Sequence, residues 1–293
     1  MPEGPEVTVI RNGLHQILKG KYIHKLDFNH KGARYSKKAP DNYSSFNDLL
    51  PAKILSVNSK GKFIYFVMEG GWYIYNTLGM SGGWYLKKKG HTVVELVYAS
   101  KKDSDSTNII WFDDQRHFAT FKFVKGTAEL QKKLKTIGKD LLNDDISDEE
   151  FITRYRKHNH KNIDVVLNDQ KIFSGIGNYL KAEILYMAKI SPHSIIKYIP
   201  DAKLKDLLKA SKDRIKASYL MGGASVMHYS DLKEVAGQFQ NYFKVYKRKE
   251  DPDGNKVISE RVSKPNDPKS QKTYWVPDVQ IKYCSSDTDS ESD

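Results

Sequence analysis

Apolar residues alternate in short runs from Lys53 to about Val124 and then recur at helical spacing from Ser147 to Leu220, so no single type of layer can accommodate the whole chain. The first stretch holds Ile54–Val57, Phe63–Met68, Trp72–Asn76, Thr92–Val97, Ile109–Phe112 and Phe118–Val124, all rich in β-branched and aromatic residues. Turn material such as Glu69-Gly70-Gly71, Lys87–Gly90 and Asp103-Ser104-Asp105-Ser106 separates them. That spacing predicts an antiparallel sandwich or barrel. Ahead of it, Val7, Ile10, Leu14, Ile17 and Leu18 predict a helix that starts behind Pro5 and stops at Gly20.

After a charged connector from roughly Gly126 to Asp145, Ser147-Asp148-Glu149-Glu150 reads as a capping box opening a helix through Phe151 and Tyr155. A short helix around Ile163, Val166 and Leu167 follows, then Tyr179–Ala188 and Asp201–Leu220. Alternation returns between Phe239 and Tyr283, in Phe243–Arg248 and Lys272–Val276, which predicts an appended hairpin. The predicted fold class is therefore α+β, an N-terminal antiparallel β-sandwich with flanking helices and then a helical domain carrying an antiparallel hairpin. The expected divisions are 1–128, 129–238, 239–283 and an acidic, disordered tail over 284–293.

The 293 residues carry 48 Lys+Arg against 36 Asp+Glu, a net charge of +12, which is the electrostatic footprint of a polyanion binder. The tail is acidic, so the folded part is more basic still. No run of eighteen apolar residues and no signal-peptide pattern occurs, from which we expect an intracellular protein with no membrane partner; a monomer is the separate expectation for its assembly. One cysteine, Cys284, excludes a disulfide framework and a Cys-ligated zinc site, and His158 and His160 do not amount to a metal site. We expect no metal and no cofactor.

Met1-Pro2-Glu3-Gly4-Pro5-Glu6 is chemically the most suggestive stretch. Removal of Met1 would expose a proline amine beside a carboxylate. An α-amino group has an unperturbed pKa of roughly 7.7–8.0 against about 10.4 for lysine, so far more of it is neutral near pH 7. A neutral secondary amine attacks an electrophilic sugar carbon such as C1′ to give an iminium, without a lysine having to be buried. The bland reading is that Pro5 is a first-turn helix proline, with Glu3 and Glu6 complementing the positive helix end.

Ser174-Gly175-Ile176-Gly177-Asn178-Tyr179 supplies a second pointer, since two glycines and an asparagine before a helix let the backbone approach an oxyanion. An ordinary corner between two helices is the alternative.

Taken together, the residues resemble the Fpg/Nei DNA glycosylases, that is, formamidopyrimidine-DNA glycosylase and endonuclease VIII with its eukaryotic Nei-like relatives. Pro2–Glu6, Gly61-Lys62-Phe63, Leu78-Gly79-Met80-Ser81-Gly82, Asp114-Gln115-Arg116-His117-Phe118 and Asp169–Leu185 occur in the family's order, between residues 2 and 283. Gly175–Tyr186 is most similar to the Nei-like branch.

The resemblance implies a helix-two-turns-helix domain and a base-excision-repair enzyme that releases an oxidised base and then nicks the strand by β,δ-elimination. Its partner would be damaged DNA, as duplex, bubble or single strand, in the nucleus or wherever DNA is replicated. Pro2 would be the nucleophile, Glu3 would move the proton that opens the sugar ring, Lys62 would place a cation at the site, and Glu6 would support them. The target base must leave the stack, and Met80, Arg116 and Phe118 would fill the void. Asn178 with the Gly175–Gly177 backbone would grip phosphate, joined by Lys272 where relatives carry an arginine. Four zinc-binding cysteines present in many members are missing, so the hairpin resembles the zincless finger. Asp164 stands where many bacterial relatives have a phosphate-facing lysine, and the segment from Gly222 to Gln238 would approach the extruded base. The expected substrates are oxidised pyrimidines, formamidopyrimidines and hydantoins. An Fpg-type 8-oxoguanine glycosylase and a non-catalytic module that binds damaged DNA are the alternatives.

Overall fold

A computed structural model of the chain describes residues 2–28, 34–35, 37–225, 229–262 and 271–285. It divides into two compact units, one of residues 1–136 and 218–240, the other of residues 137–217 and 241–293. Met1, residues 226–228 of the expected lesion-facing segment and residues 286–293 of the expected disordered tail lie outside the described residues.

In the first unit the chain runs α1 (Gly4–Leu18), β1 (Tyr22–Asp27), α2 (Tyr43–Asn47), β2 (Ala52–Lys60), β3 (Phe63–Met68), β4 (Trp72–Thr77), β5 (Gly83–Tyr85), β6 (Thr92–Ala99), β7 (Asn108–Asp113), β8 (Thr120–Lys125) and α3 (Thr127–Lys135). The eight strands form one ladder in the order β5-β7-β6-β1-β2-β3-β4-β8, and every described pair in it is antiparallel. Register shifts at Ile23/Lys25, Ile54/Ser56 and Thr92/Val94 bend the ladder where its two halves meet and along β6. The inner faces of the halves then pack on each other. Phe112 of β7 meets Phe121 of β8 edge-on at 5.0 Å, and Trp84 of β5 reaches Phe66 of β3 at 5.9 Å. Val7, Ile10, Leu14 and Leu18 of α1, spaced to share one helix face, complete the same core.

Two strands escape the sequence pattern, β1 and the three-residue β5, and the expected charged connector contains α3. Phe118 lies before β8, in a loop rather than in the strand that its aromatic run predicts.

The second unit contains β9 (Lys139–Asp140), α4 (Asp148–Arg156), α5 (Ile163–Asn168), β10 (Phe173–Ser174), α6 (Asn178–Met187), most of α7 (Asp201–Leu220), β11 (Ile258–Glu260) and β12 (Thr273–Trp275). Ser147 caps α4 by accepting from the Glu150 amide, half of the expected capping box, while the Glu150 carboxylate turns instead to Lys139 and Arg154. Phe151, Tyr155 and Phe173 stack within 4.3–5.8 Å to hold α4 on the strand before α6. The hairpin is β11 with β12, pairing Ile258 with Trp275 and Glu260 with Thr273. Phe243–Arg248, predicted as one of its arms, is not a strand. The amides of Lys244, Val245 and Tyr246 donate instead to the buried Glu183 carboxylate of α6 at 2.9–3.1 Å, which curls that segment around the helix. Among the described residues no helix is long and apolar enough to cross a membrane.

Candidate functional site

Pro2 and Glu3 stand at the start of α1, both buried. Glu3 is the N-cap and Glu6 closes a reciprocal capping box with it, the Glu3 amide donating to Glu6 Oε2 at 2.7 Å. The other Glu6 oxygen accepts from the Ala224 amide at 2.7 Å and from Ser218 Oγ at 3.5 Å. Gly223 makes that approach possible. Its φ is +88°, and a Cβ there would stand 2.7 Å from Glu6 Cγ and Oε1. Glu6, 1% exposed, is thus fully occupied in tying the helix start to the 218–224 turn. Nearby, burial raises the Tyr229 phenol and the Glu6 carboxylate raises it further, so it stays an O–H that donates to the Gly222 carbonyl at 3.1 Å.

Lys62 is presented on the β2–β3 hairpin, whose last pair is Lys60 with Phe63, leaving Gly61 and Lys62 as a two-residue turn. Gly61 takes φ +53°, the left-handed region that such tight turns demand of their first position. Lys62 is half-buried, while Lys60 alongside donates to the Leu134 carbonyl at the end of α3.

Met80, Arg116 and Phe118 are placed on two loops that one carboxylate joins. Asp114, 1% exposed, accepts from Ser81 Oγ at 2.6 Å on one oxygen and from the Ala119 amide at 2.8 Å on the other. Ser81 Oγ in turn accepts from the Arg116 amide at 3.0 Å. Gly79, at φ +62°, lets the first loop touch the second, since a Cβ there would lie 2.7 Å from the Phe118 carbonyl carbon and the Ala119 nitrogen. The Arg116 guanidinium sits over the Phe118 ring at 5.2 Å, and that ring is 51% exposed. A large exposed aromatic braced by a cation, on a loop anchored by a buried carboxylate, is available to a partner rather than to the core. Asp114 belongs to the quoted motif, but its anchoring role is invisible in sequence because Ser81 lies far away in the chain.

In the second unit, Gly175 takes φ +109° and its amide donates to Gln170 Oε1 at 3.1 Å, and Gly177 is the extended N-cap of α6. Asn178 Nδ2 donates to the Lys272 carbonyl at 2.9 Å, so the structure brings these two expected phosphate ligands together. Lys272 is exposed and immediately precedes β12. Asp164 is not available to a phosphate neighbour. It is 2% exposed, pairs with buried Lys181 at 2.6 Å, and accepts from the buried Thr273 hydroxyl. Trp275 Nε1 and His193 Nε2 both reach Glu260 Oε1, at 2.6 and 2.8 Å, bracing the hairpin. Among the described residues no three His, Cys, Asp or Glu side chains cluster as a metal site.

Three family models cover the chain in succession: the formamidopyrimidine-DNA glycosylase N-terminal domain over residues 1–121, its H2TH domain over 137–230 and its C-terminal domain over 231–281. The chain is 30% identical to a formamidopyrimidine-DNA glycosylase of Halalkalibacterium halodurans over 251 residues, 85% of this chain and 89% of that protein. It is 26% identical to the Mycoplasma genitalium protein of the same name over 258 residues, 86% and 87% of the two chains. In fold it is similar to a Lactococcus lactis FPG mutant solved with a Fapy-dG containing DNA, with a TM-score of 0.81, 23% identity and coverage of 96% and 100%. The MutM (FPG) protein from Thermus thermophilus aligns with a TM-score of 0.81 and 24% identity, covering 97% and 100%.

Proposed function

Because this chain belongs to the formamidopyrimidine-DNA glycosylase family, we propose that Pro2, once Met1 is removed, attacks C1′ of a damaged nucleotide and holds the sugar as a Schiff base. The chain is a bifunctional DNA glycosylase and abasic-site lyase of base excision repair, and damaged DNA is its partner. As the Pro2 nitrogen bonds to C1′, the glycosidic bond breaks and its electron pair leaves with the base, which takes up a proton. Glu3 delivers a proton to O4′, the ring opens and an iminium forms. Loss of a C2′ proton then expels the 3′ phosphate, a second elimination expels the 5′ phosphate, and water releases Pro2. Lys62 stabilises the departing anions.

The arrangement that best supports this reading is the fixed start of α1. Glu6 commits both oxygens to the backbone around it, so Pro2 and Glu3 are carried on a helix end with little freedom to misalign. Met80, Arg116 and Phe118 enter the space left by the extruded base, and Asn178, the Gly175–Gly177 backbone and Lys272 hold phosphates. Catalysis is assigned to residues 1–128, phosphate binding to 129–238 and the hairpin at 239–283, and the enzyme works wherever the cell keeps its DNA, a nucleus where there is one.

The hairpin is read as a zincless finger of the Nei-like kind. Cys284 is the chain's one cysteine, and Val245, Val257 and Val276 pack with Ala182 and Tyr186 of α6 into an apolar cluster that supplies the cohesion. Because Gly175–Tyr186 is most similar to the Nei-like branch, the preferred lesions are oxidised pyrimidines, formamidopyrimidines and hydantoins. The bacterial relatives are named for formamidopyrimidine, a lesion already in this set, and the second reading is an Fpg-type enzyme with 8-oxoguanine as its main substrate.

Borohydride trapping on an oligonucleotide bearing thymine glycol tests the chemistry. We expect a covalent adduct on Pro2 that is absent in Pro2→Gly; tight binding without any adduct identifies a non-catalytic module instead. Single-turnover release of thymine glycol, spiroiminodihydantoin and 8-oxoguanine ranks the lesions, and faster loss of 8-oxoguanine selects the second reading. Intact mass of active protein establishes whether Met1 has gone.

A further inference from the structure

The strand pairing of the first unit puts Phe63 and Tyr65 of β3, Tyr73 and Tyr75 of β4 and Lys122 and Val124 of β8 on the sheet face turned away from the core. Helix α3 covers only part of that face, fastened by the Tyr73 hydroxyl to Thr127 Oγ1 at 3.0 Å. Beside α3 remains a cavity of about 750 Å³, within the range of small-molecule sites.

Its lining has two characters. Phe63 and Tyr75 meet edge-on at 5.1 Å with Trp72 nearby, an aromatic floor. Around them stand Lys122, Lys125, Lys132 and Lys133. Lys133 lies over the Phe63 ring at 5.3 Å and Lys125 over the Trp72 ring at 5.9 Å. Glu129 is the carboxylate among the lining residues, and Asp41 partly engages Lys122 at 3.7 Å, which leaves the rim cationic.

An independent observation points inward. The Tyr75 hydroxyl is buried, in a residue 8% exposed, and has no hydrogen-bond partner among the described residues. A buried hydroxyl without a partner costs free energy and calls for an explanation. Burial first, then Glu129, pushes this phenol up to about 12, so it stays a neutral O–H donor at physiological pH. The Thr77 and Thr120 hydroxyls, bonded to each other at 2.6 Å, add polar atoms to the same wall.

We propose that this cavity is a binding site for a phosphorylated nucleoside, with the base against Phe63 and Tyr75, the Tyr75 O–H donating to a base carbonyl, and the phosphate among Lys125, Lys132 and Lys133. Aromatic rings that accept a planar base next to lysines that accept phosphate are the pairing used for single-stranded nucleic acid. A flat uncharged hydrophobe would leave the lysines unused, and a bare phosphate would leave the rings and the phenol unused. The ligand is a free mononucleotide or the 5′-phosphorylated end of a DNA strand, which share this chemistry. None of the residues is among those assigned to base excision, so the inference stands or falls apart from that assignment.

Calorimetric titration of the full chain with thymidine 5′-monophosphate, thymidine and inorganic phosphate tests it. We expect saturable one-site binding of the monophosphate, at least about tenfold tighter than either fragment. Tyr75→Phe should weaken it about five- to tenfold, as loss of one hydrogen bond does, without lowering the thermal midpoint of the free protein. Lys125→Ala with Lys133→Ala should weaken it more than tenfold, and Lys62→Ala should leave it unchanged. A 5′-phosphorylated single strand that binds as tightly, with the same sensitivity to Tyr75→Phe, identifies the strand end as the source; binding of the free nucleotide alone identifies the mononucleotide. The proposal is overturned if the monophosphate does not bind, if phosphate alone binds equally well, or if Lys62→Ala abolishes binding while Tyr75→Phe and the lysine pair leave it intact.

Discussion

Asp164 and Lys181 meet at 2.6 Å inside the second unit, one 2% and the other 1% exposed, and the Thr273 hydroxyl shares the carboxylate. Breaking a buried pair from one side strands the other charge. Asp164→Ala should cost about 3–5 kcal/mol of the stability of this unit, read as a lower urea midpoint. Because Thr273 adjoins Lys272, DNA affinity should fall as well. Replacing both partners, Asp164→Leu with Lys181→Met, should restore most of the stability. If the double variant is no more stable than Asp164→Ala, the pair is not the source of the loss.

Asp114 fastens the loops that carry Met80, Arg116 and Phe118, accepting from Ser81 and Ala119. Asp114→Ala leaves the Ala119 amide without its acceptor and should destabilise the first unit by about 1–3 kcal/mol. Arg116→Ala, whose side chain rests on exposed Phe118, should change stability by less than about 0.5 kcal/mol. Its effect should appear as lost discrimination between lesions with different opposite bases. Equal loss of stability in the two variants contradicts the division between an anchor and a contact.

Which of these features the sequence discloses depends on how far apart the interacting residues lie. Val7, Ile10, Leu14 and Leu18 are all buried because helical spacing alone aligns them, and Phe63–Met68 and Trp72–Thr77 are apolar enough to read as strands. Tyr22–Asp27 buries only Ile23 and Leu26 among polar neighbours, and α3 buries only Leu130, so neither carries a readable period. Phe243–Arg248 alternates like a strand, yet its amides are claimed by Glu183 of a distant helix. The chemical residues Pro2, Glu3, Lys62, Arg116 and Asn178 stand out through short motifs, whereas the groups that hold them, Asp114, Ala224 and Asp164, bond to partners tens to hundreds of positions away.

Gly223→Ala forces a side chain into the space of the Glu6 carboxylate at a backbone angle that favours glycine. Glu6 must withdraw from the Ala224 amide, and the Glu3 amide loses its fixed acceptor. We expect the borohydride adduct to form at least about tenfold more slowly, since a small misplacement of reacting groups costs that much or more. Binding of DNA containing a non-cleavable abasic analogue should stay within about threefold, the phosphate ligands being elsewhere. Unchanged trapping kinetics would show that the Glu6 brace has no part in positioning Pro2.

Acid should weaken the second unit selectively. Its Glu150 is lowered from the ordinary carboxylate range, chiefly by the hydrogen bond from Lys139 and then by Arg154. Asp251 and Glu260 are lowered too. For both, burial pulls upward and is outweighed, at Asp251 by bonds from Asn255, Tyr186 and Asp253, and at Glu260 by bonds from His193 and Trp275. A carboxyl group lowered in the folded state contributes stability that is present above its unfolded value and is lost as pH falls through the folded one. For these three the loss sets in below about pH 4.5 and deepens on further acidification. Asp113 in the first unit has the opposite sign, since burial raises it and protonation in the same window relieves that cost. Amide exchange across pH 6 to 3 should therefore show protection around α4 and the β11–β12 hairpin falling while β6 and β7 keep theirs. Simultaneous loss in both regions would mean that these carboxylates do not govern the acid response.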